Sequence, residues 1–227
     1  MPFTELRCYG YFFATASLPA ALSAEMDTFS YERELAGIGA RLVAGVDEAG
    51  RGPLAGPVVA ASVILPADCR YFLFQDSKKL TEKQRERLFA ILTGMGIPIG
   101  VGVATHAEID EINILQASLL AMKRAVFDLP EMPDFLLVDG KFTVPLKVNQ
   151  QALVKGESKS ASIAAASIIA KVTRDRIMLG YHDMYPRYNF KRHKGYPTKE
   201  HRNLLIQFGP CEIHRKTFSG VRELQGQ

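Results

Sequence analysis

A chain of 227 residues, 47% hydrophobic and 23% charged, carries enough apolar material for one sizeable core and is too evenly balanced for a disordered chain. A net charge of +4 says little about partners, while three widely spaced cysteines (Cys8, Cys69, Cys211) argue against a disulfide framework and a cysteine-based zinc site and fit a reducing, cytoplasmic compartment. No run of about 18 apolar residues is present, so nothing reads as a membrane-spanning helix.

Residues 1–25 imitate a signal peptide only loosely, since Gly10, Thr15, Ser17 and Pro19 interrupt the apolar run. They read as a disordered N-terminal extension, with a start at Met26 as an alternative and export as the weaker reading. A short helix is expected over 30–40. Strand one is expected over about 41–47 and strand two over about 57–65, the second apolar on both faces as for a strand covered by helices. Between them lies Asp47-Glu48-Ala49-Gly50-Arg51-Gly52-Pro53: two acids and an arginine on a chain kept bare by glycine. In a regular strand Asp47 and Glu48 would point to opposite faces, so their convergence calls for a turn there.

Asp76-Ser77-Lys78-Lys79 reads as a loop, with Lys78 as a phosphate contact, and Thr81 caps a helix to about Leu92. A strand over 97–104 alternates large residues with Pro and Gly, leaving a thin face open to close approach. A helix over 112–128 carries a core stripe. Phe135–Val138 is a buried strand that ends, like the first, in an acid followed by glycine (Asp139-Gly140), and 146–149 adds a fifth strand. Lys155-Gly156-Glu157-Ser158 is expected to open a long Ala/Ser-rich helix able to pack closely on the sheet. A basic, aromatic-rich loop and a helix over 198–208 close the chain; between Arg187 and Arg202 six Lys/Arg face a single acid, Glu200.

Acids at the ends of two strands, in an open α/β sheet, mark where ligands gather. Carboxylates without His or Cys select hard cations, Mg²⁺ or Mn²⁺, and two such ions suit phosphoryl displacement. The spacing of Gly50, Gly52 and Gly56 does not fit a dinucleotide fingerprint, and a non-catalytic nucleic-acid binder would leave the acids unexplained. The five histidines show no compact metal-ligand spacing and read as surface or structural, and Cys69 and Cys211 as unreactive.

The block Asp47–Pro57, followed in order by Asp76-Ser77-Lys78-Lys79-Leu80, Val138-Asp139-Gly140, the helix Ile163–Arg176 and His193-Lys194-Gly195-Tyr196-Pro197-Thr198, resembles the ribonuclease HII (type 2 ribonuclease H) family from about residue 30 to 220. The resemblance implies a ribonuclease H-like mixed five-stranded sheet flanked by helices, in a catalytic domain over 26–181, with a C-terminal helical substrate-binding segment over 182–227. It implies an endonuclease that cuts the RNA strand of RNA/DNA hybrids and nicks 5′ to ribonucleotides in duplex DNA, leaving 3′-hydroxyl and 5′-phosphate ends; a monomer is expected because no sustained heptad pattern or exposed apolar stripe calls for a partner. Asp47, Glu48 and Asp139 match the family's metal ligands, Gly50, Arg51 and Gly52 its reader of the ribose 2′-hydroxyl, and Tyr196 the tyrosine that stacks on the sugar. The family's fourth acid is usually Asp, and here that position is Glu157. Asp175 is a rival, about 27 Å away if one continuous helix joins them; flanked by two arginines it reads as an ion-paired structural acid, and Glu157 is favoured.

Overall fold

The computed structural model describes residues 27–69, 74 and 80–224. The expectations for residues 1–25 and for Lys78 therefore lie outside the described residues. Five strands form one mixed sheet in the order β3-β2-β1-β4-β5: β1 is Val43–Ala49, β2 Val58–Ile64, β3 Ile99–Ala104, β4 Phe135–Asp139 and β5 Asn149–Leu153. β1, β2 and β3 pair antiparallel, whereas β4 runs parallel to β1 and β5 parallel to β4. The fold is the expected mixed α/β sheet flanked by helices.

The helices are α1 (Ser30–Gly37), α2 (Glu82–Gly94), α3 (His106–Phe127), α4 (Ala161–Met184), α5 (Phe190–His193) and α6 (Lys199–Phe208). One sheet face, with Ala44, Val46, Ala60, Leu136 and Val138, packs on α3; the other packs on α4, with α1 and α2 beside it. Every residue of β2 is buried, as its two-faced apolar sequence requires. Glycines set the layer spacing. A Cβ on Gly45 would fall 2.1 Å from the Ser162 carbonyl carbon of α4, and on Gly102 2.1 Å from the Ala121 carbonyl oxygen of α3. The thin face of β3 thus receives the α3 backbone, and the small residues of α4 let that helix rest directly on β1.

Four expectations need correction. α3 starts at His106, six residues early, because Thr105 and Glu108 form a capping box; Asn113 (φ 69°) then kinks the helix. β5 lies at 149–153 rather than 146–149: its pairing with β4 from Phe135↔Asn149 decides the register, and the Gln150 side chain ties off the preceding loop through both backbone groups of Val144. α4 begins at Ala161, after a separate 3-10 turn at Gly156–Ser158. Ser160 caps it, and the Glu32 carboxylate accepts hydrogen bonds from Ser160 Oγ (2.6 Å) and Ser162 N (3.0 Å). The basic loop is itself largely helical, with a 3-10 turn at Pro186–Tyr188 and α5, and buries Tyr188 and Phe190.

Beyond α4 the chain folds back onto the loop between β1 and β2. Leu54 N–H donates to Gly195, Gly56 N–H to Ile213 and Arg215 N–H to Leu54, at 2.8–2.9 Å. The last third of the chain therefore holds the loop that the first strand pair leaves open.

Candidate active site

Asp47 and Asp139 follow the last matched rung, Val46↔Val138, of two neighbouring parallel strands. Alternation puts both on the α4 face, since Leu137 and Val43 pack with Ile163 there. Glu48 falls on the opposite face with Val46. No turn intervenes at the pair: β1 stays regular to Ala49, opposite Val59 of β2, and the chain turns only at Gly50 (φ 103°). The acids nevertheless border one cleft of about 260 Å³, because β4 ends beside them; Gly50, Arg51, Gly52, Arg85, Ser167, Lys171 and Tyr196 share its wall.

Glu157 stands behind that wall, 5% exposed, and accepts a hydrogen bond from Ser167 Oγ at 2.9 Å. Asp139 Oδ1 accepts from Gly156 N at 2.6 Å, which docks the turn carrying Glu157 against β4. Asp47 accepts from Glu48 N at 2.7 Å. Burial drives the Asp47 carboxyl well above its usual range, and the charges of Glu48, Asp139 and Glu157 push it further. Three carboxylates thus act on the buried Asp47. Among the described residues, no three His, Cys, Asp or Glu side chains are already drawn into a finished metal cage. A ring of mutually repelling oxygen ligands with no histidine or thiol fits a hard divalent cation, which would relieve the repulsion.

Asp175 has a different environment. Its carboxylate pairs with Lys171 at 2.6 Å, one turn away on α4. The flanking arginines are engaged elsewhere: Arg176 pairs with Glu86, and Arg174 donates to the carbonyls of Pro57, Ala55 and Lys194. The expected ion pairing is present with another partner. Because Glu157 precedes α4, the 27 Å spacing no longer follows from helix geometry; what separates the two acids is that Glu157 acts on Asp47 electrostatically and Asp175 is neutralised by a lysine.

Two buried arginines missed in the sequence shape the glycine loop. Arg215 donates to the carbonyls of Gly50 (2.6 Å), Arg51 (3.0 Å), Gly56 (3.0 Å) and Pro57 (3.2 Å). Burial lowers its guanidinium to about 9, with neighbouring Arg174 adding to the effect, and it remains charged at neutral pH. A trans peptide sets each carbonyl opposite the next N–H, so holding the Gly50 and Arg51 carbonyls turns the N–H groups of Arg51 and Gly52 away from Arg215. The Arg51 side chain reaches Glu48 at 3.2 Å. Tyr196, 37% exposed, lies beside Gly52, with Lys171 Nζ 5.6 Å and Arg174 Cζ 5.8 Å from its ring centroid. No local pattern marks Arg174 or Arg215, because their partners are backbone groups far along the chain, all but the Lys194 carbonyl more than 100 residues away.

Residues 44–221 match the sequence profile of the ribonuclease HII family. Ribonuclease HII of Desulfotalea psychrophila is 57% identical over 209 residues, 91% of this chain and 93% of that protein. Ribonuclease HII of Bacillus subtilis is 52% identical over 196 residues, 86% of this chain and 76% of that protein. Among solved structures, ribonuclease H2 of Pyrococcus horikoshii OT3 superposes with a TM-score of 0.67 at 30% identity, covering 81% of this chain and 96% of that one.

Proposed function

The chain belongs to the ribonuclease HII family, a group of ribonuclease H hydrolases, and on that premise we propose that it is a divalent-cation-dependent endonuclease that cuts the RNA strand of RNA/DNA hybrids and nicks duplex DNA on the 5′ side of embedded ribonucleotides. One juxtaposition supports this reading above all. The charge-coupled acids at the ends of β1 and β4 border the same cleft as the Gly50–Gly52 loop and Tyr196.

Asp47, Glu48, Asp139 and Glu157 would hold Mg²⁺ or Mn²⁺. Two such ions, when bound, stabilise charge on the phosphoryl oxygens and lower the pKa of attacking water. Water adds to phosphorus and the P–O3′ bond breaks, leaving a 3′-hydroxyl upstream and a 5′-phosphate on the ribonucleotide. The chain's own part is recognition. The N–H groups of Arg51 and Gly52, free of side-chain bulk at the glycine, meet the ribose 2′-hydroxyl, and the Tyr196 ring stacks on the sugar. Arg85 supplies positive charge at the cleft wall for the phosphates. In this reading residues 26–181 are the catalytic domain and 182–227 a substrate-binding segment, and the protein works as a monomer in the cytoplasm. Among the described residues no helix is long and apolar enough to cross a membrane.

The test is a DNA duplex with one ribonucleotide, incubated with Mg²⁺ or Mn²⁺. A nick on its 5′ side is expected, lost in Asp139→Asn. Equal cutting of all-DNA duplex would sink the ribose-reading assignment. Glu157→Gln should lower the metal-dependent rate more than Asp175→Asn; the reverse order would make Asp175 the fourth acid.

A further inference from the structure

Three of the five histidines converge in the segment that carries Tyr196, outside the cleft wall. His201 and His214 are fully buried and His193 nearly so. Their ring nitrogens form a directed chain. Cys211 N–H donates to His214 Nδ1 at 2.9 Å, His214 Nε2 and His201 Nε2 lie 3.1 Å apart, and His201 Nδ1 lies 3.0 Å from the Tyr196 carbonyl.

The protons follow from the two ends. The Tyr196 carbonyl can only accept, so His201 carries its proton on Nδ1. Its Nε2 then accepts from His214 Nε2–H, which leaves His214 Nδ1 to accept from Cys211 N–H. Nδ1 of His214 also lies 3.3 Å from the Cys211 carbonyl and 3.1 Å from its thiol. Were the proton there instead, His201 would have to donate from both nitrogens and carry a charge among Phe190, His193 and His214. Burying an unpaired charge is the costlier arrangement.

The peptides around Tyr196 have other ties as well: the Gly195 carbonyl accepts from Leu54 N–H at 2.8 Å and the Lys194 carbonyl from Arg174 at 3.1 Å. Tyr196 N–H donates to His193, and its carbonyl also accepts from Thr198 N, both at 2.8 Å. His193 stacks on His201 with centroids 4.3 Å apart, donates from Nε2 to Tyr188 and accepts Gly195 N–H at Nδ1. The His201 ring therefore holds the peptide that follows the tyrosine and the His193 ring the Lys194–Gly195 peptide, while backbone bonds hold the peptide between them; the tyrosine's ring stands beside Gly52.

We propose that the His214–His201 relay is a specificity device, in which His201 is a positioning residue that sets the Tyr196 ring against the glycine loop and so sharpens discrimination of ribose from deoxyribose. The proposal rests on the assignment of Tyr196 to the substrate's sugar. In the full-length protein with Mg²⁺, His201→Leu is expected to slow nicking at a single ribonucleotide about tenfold, the scale of one lost hydrogen bond. His201→Asn, which offers an N–H where Nδ1 stood, should recover most of it. Comparisons are made at a temperature where thermal unfolding shows every variant folded. Adding His201→Leu to Tyr196→Ala should cost nothing more. An equal further loss in that background, or Asn and Leu behaving alike, overturns the positioning role. Ring ¹⁵N NMR at neutral pH should place protons on His201 Nδ1 and His214 Nε2; the opposite tautomers, or a cationic His201, overturn the relay itself. A parent protein indifferent to the ribonucleotide refutes the functional reading and with it the positioning role, while the ring nitrogens still decide whether the relay exists.

Discussion

Arg215 donates to the carbonyl of Gly50, 165 residues earlier in the chain, at 2.6 Å. The same guanidinium holds Arg51, Gly56 and Pro57, so one side chain near the C-terminus dictates which way the peptides of the glycine loop face. A lysine offers a compact ammonium without the planar fork and cannot satisfy all four carbonyls. Each buried acceptor left without a donor costs about 1–3 kcal/mol. Arg215→Lys should therefore lose roughly 2–5 kcal/mol of stability in a denaturant titration, and nicking at a single ribonucleotide should fall even where the variant is fully folded. A variant as stable and selective as the parent would show that the loop holds its own shape.

The two glycines flanking Arg51 differ in what they do. Gly50 has φ 103°, and a Cβ there would fall 2.1 Å from Arg174 Nε and 2.8 Å from the Pro57 carbonyl; at Gly52 the only neighbour within 4 Å among the described residues is Tyr196 Cε1 at 3.9 Å. Gly50→Ala should thus destabilise the fold by about 2 kcal/mol or more, from strain and the displaced arginine. Gly52→Ala should leave the melting temperature within a few degrees of the parent and cut activity on embedded ribonucleotides, since the added methyl lies between loop and tyrosine. A Gly52→Ala protein with full activity would separate this position from the sugar.

This division also shows what the sequence could reveal. Strand-end acids followed by glycine are local patterns, and Asp47, Glu48 and Asp139 stand out because a buried strand rarely ends in charge without cause. The sheet was legible from its apolar runs, whereas the boundaries of α3, α4 and β5 depended on caps and pairing: Glu32 reaching Ser160 and Ser162, and Asn149 taking its register from Phe135. The Thr105–Glu108 capping box was visible in the sequence as T-x-x-E and would have moved the start of α3 to its place. Arg174 and Arg215 act on backbone groups that folding brings near, and His201 meets the His214 ring, 13 residues on, only in the folded segment; no spacing announces either.

Acid should unfold this protein through its buried histidines. Burial lowers His201 to about 4 and His214 to about 3, with neighbouring histidines adding to the effect. The unfolded chain takes up protons near pH 6.5 that the folded rings refuse, so stability falls as pH drops below 6.5 and continues to fall toward the folded values. Glu108, held at about 2 by Arg124, weakens the fold only below its ordinary value of 4.5 and so leaves the upper part of the window to the histidines. By pH 4.5 the loss should reach on the order of 2–3 kcal/mol for each ring. Melting temperatures in EDTA between pH 7.5 and 4.5 would show it, and His214→Gln should flatten the slope. An unchanged slope in that variant would move the acid sensitivity to other groups.

Asp47 poses the opposite balance. It is 4% exposed, and burial together with Glu48, Asp139 and Glu157 disfavours its charged form. Its folded pKa lies above the unfolded value, so its contribution to stability is largest in acid and is lost as pH rises through that folded value. A neutral isostere removes the repulsion while keeping an oxygen for the Glu48 N–H. Asp47→Asn should therefore melt several degrees higher than the parent at neutral pH in EDTA, while losing nuclease activity. Mg²⁺ should reverse the order: binding to the folded state raises the parent's melting temperature by mass action, and the variant, with one charge fewer in the cluster, should respond weakly. Calorimetry with and without Mg²⁺ reads both effects without turnover. If the parent gains nothing from millimolar Mg²⁺ or Mn²⁺, or if Asp47→Asn is the less stable protein in EDTA, the acids at the ends of β1 and β4 are not a cation site held under repulsion.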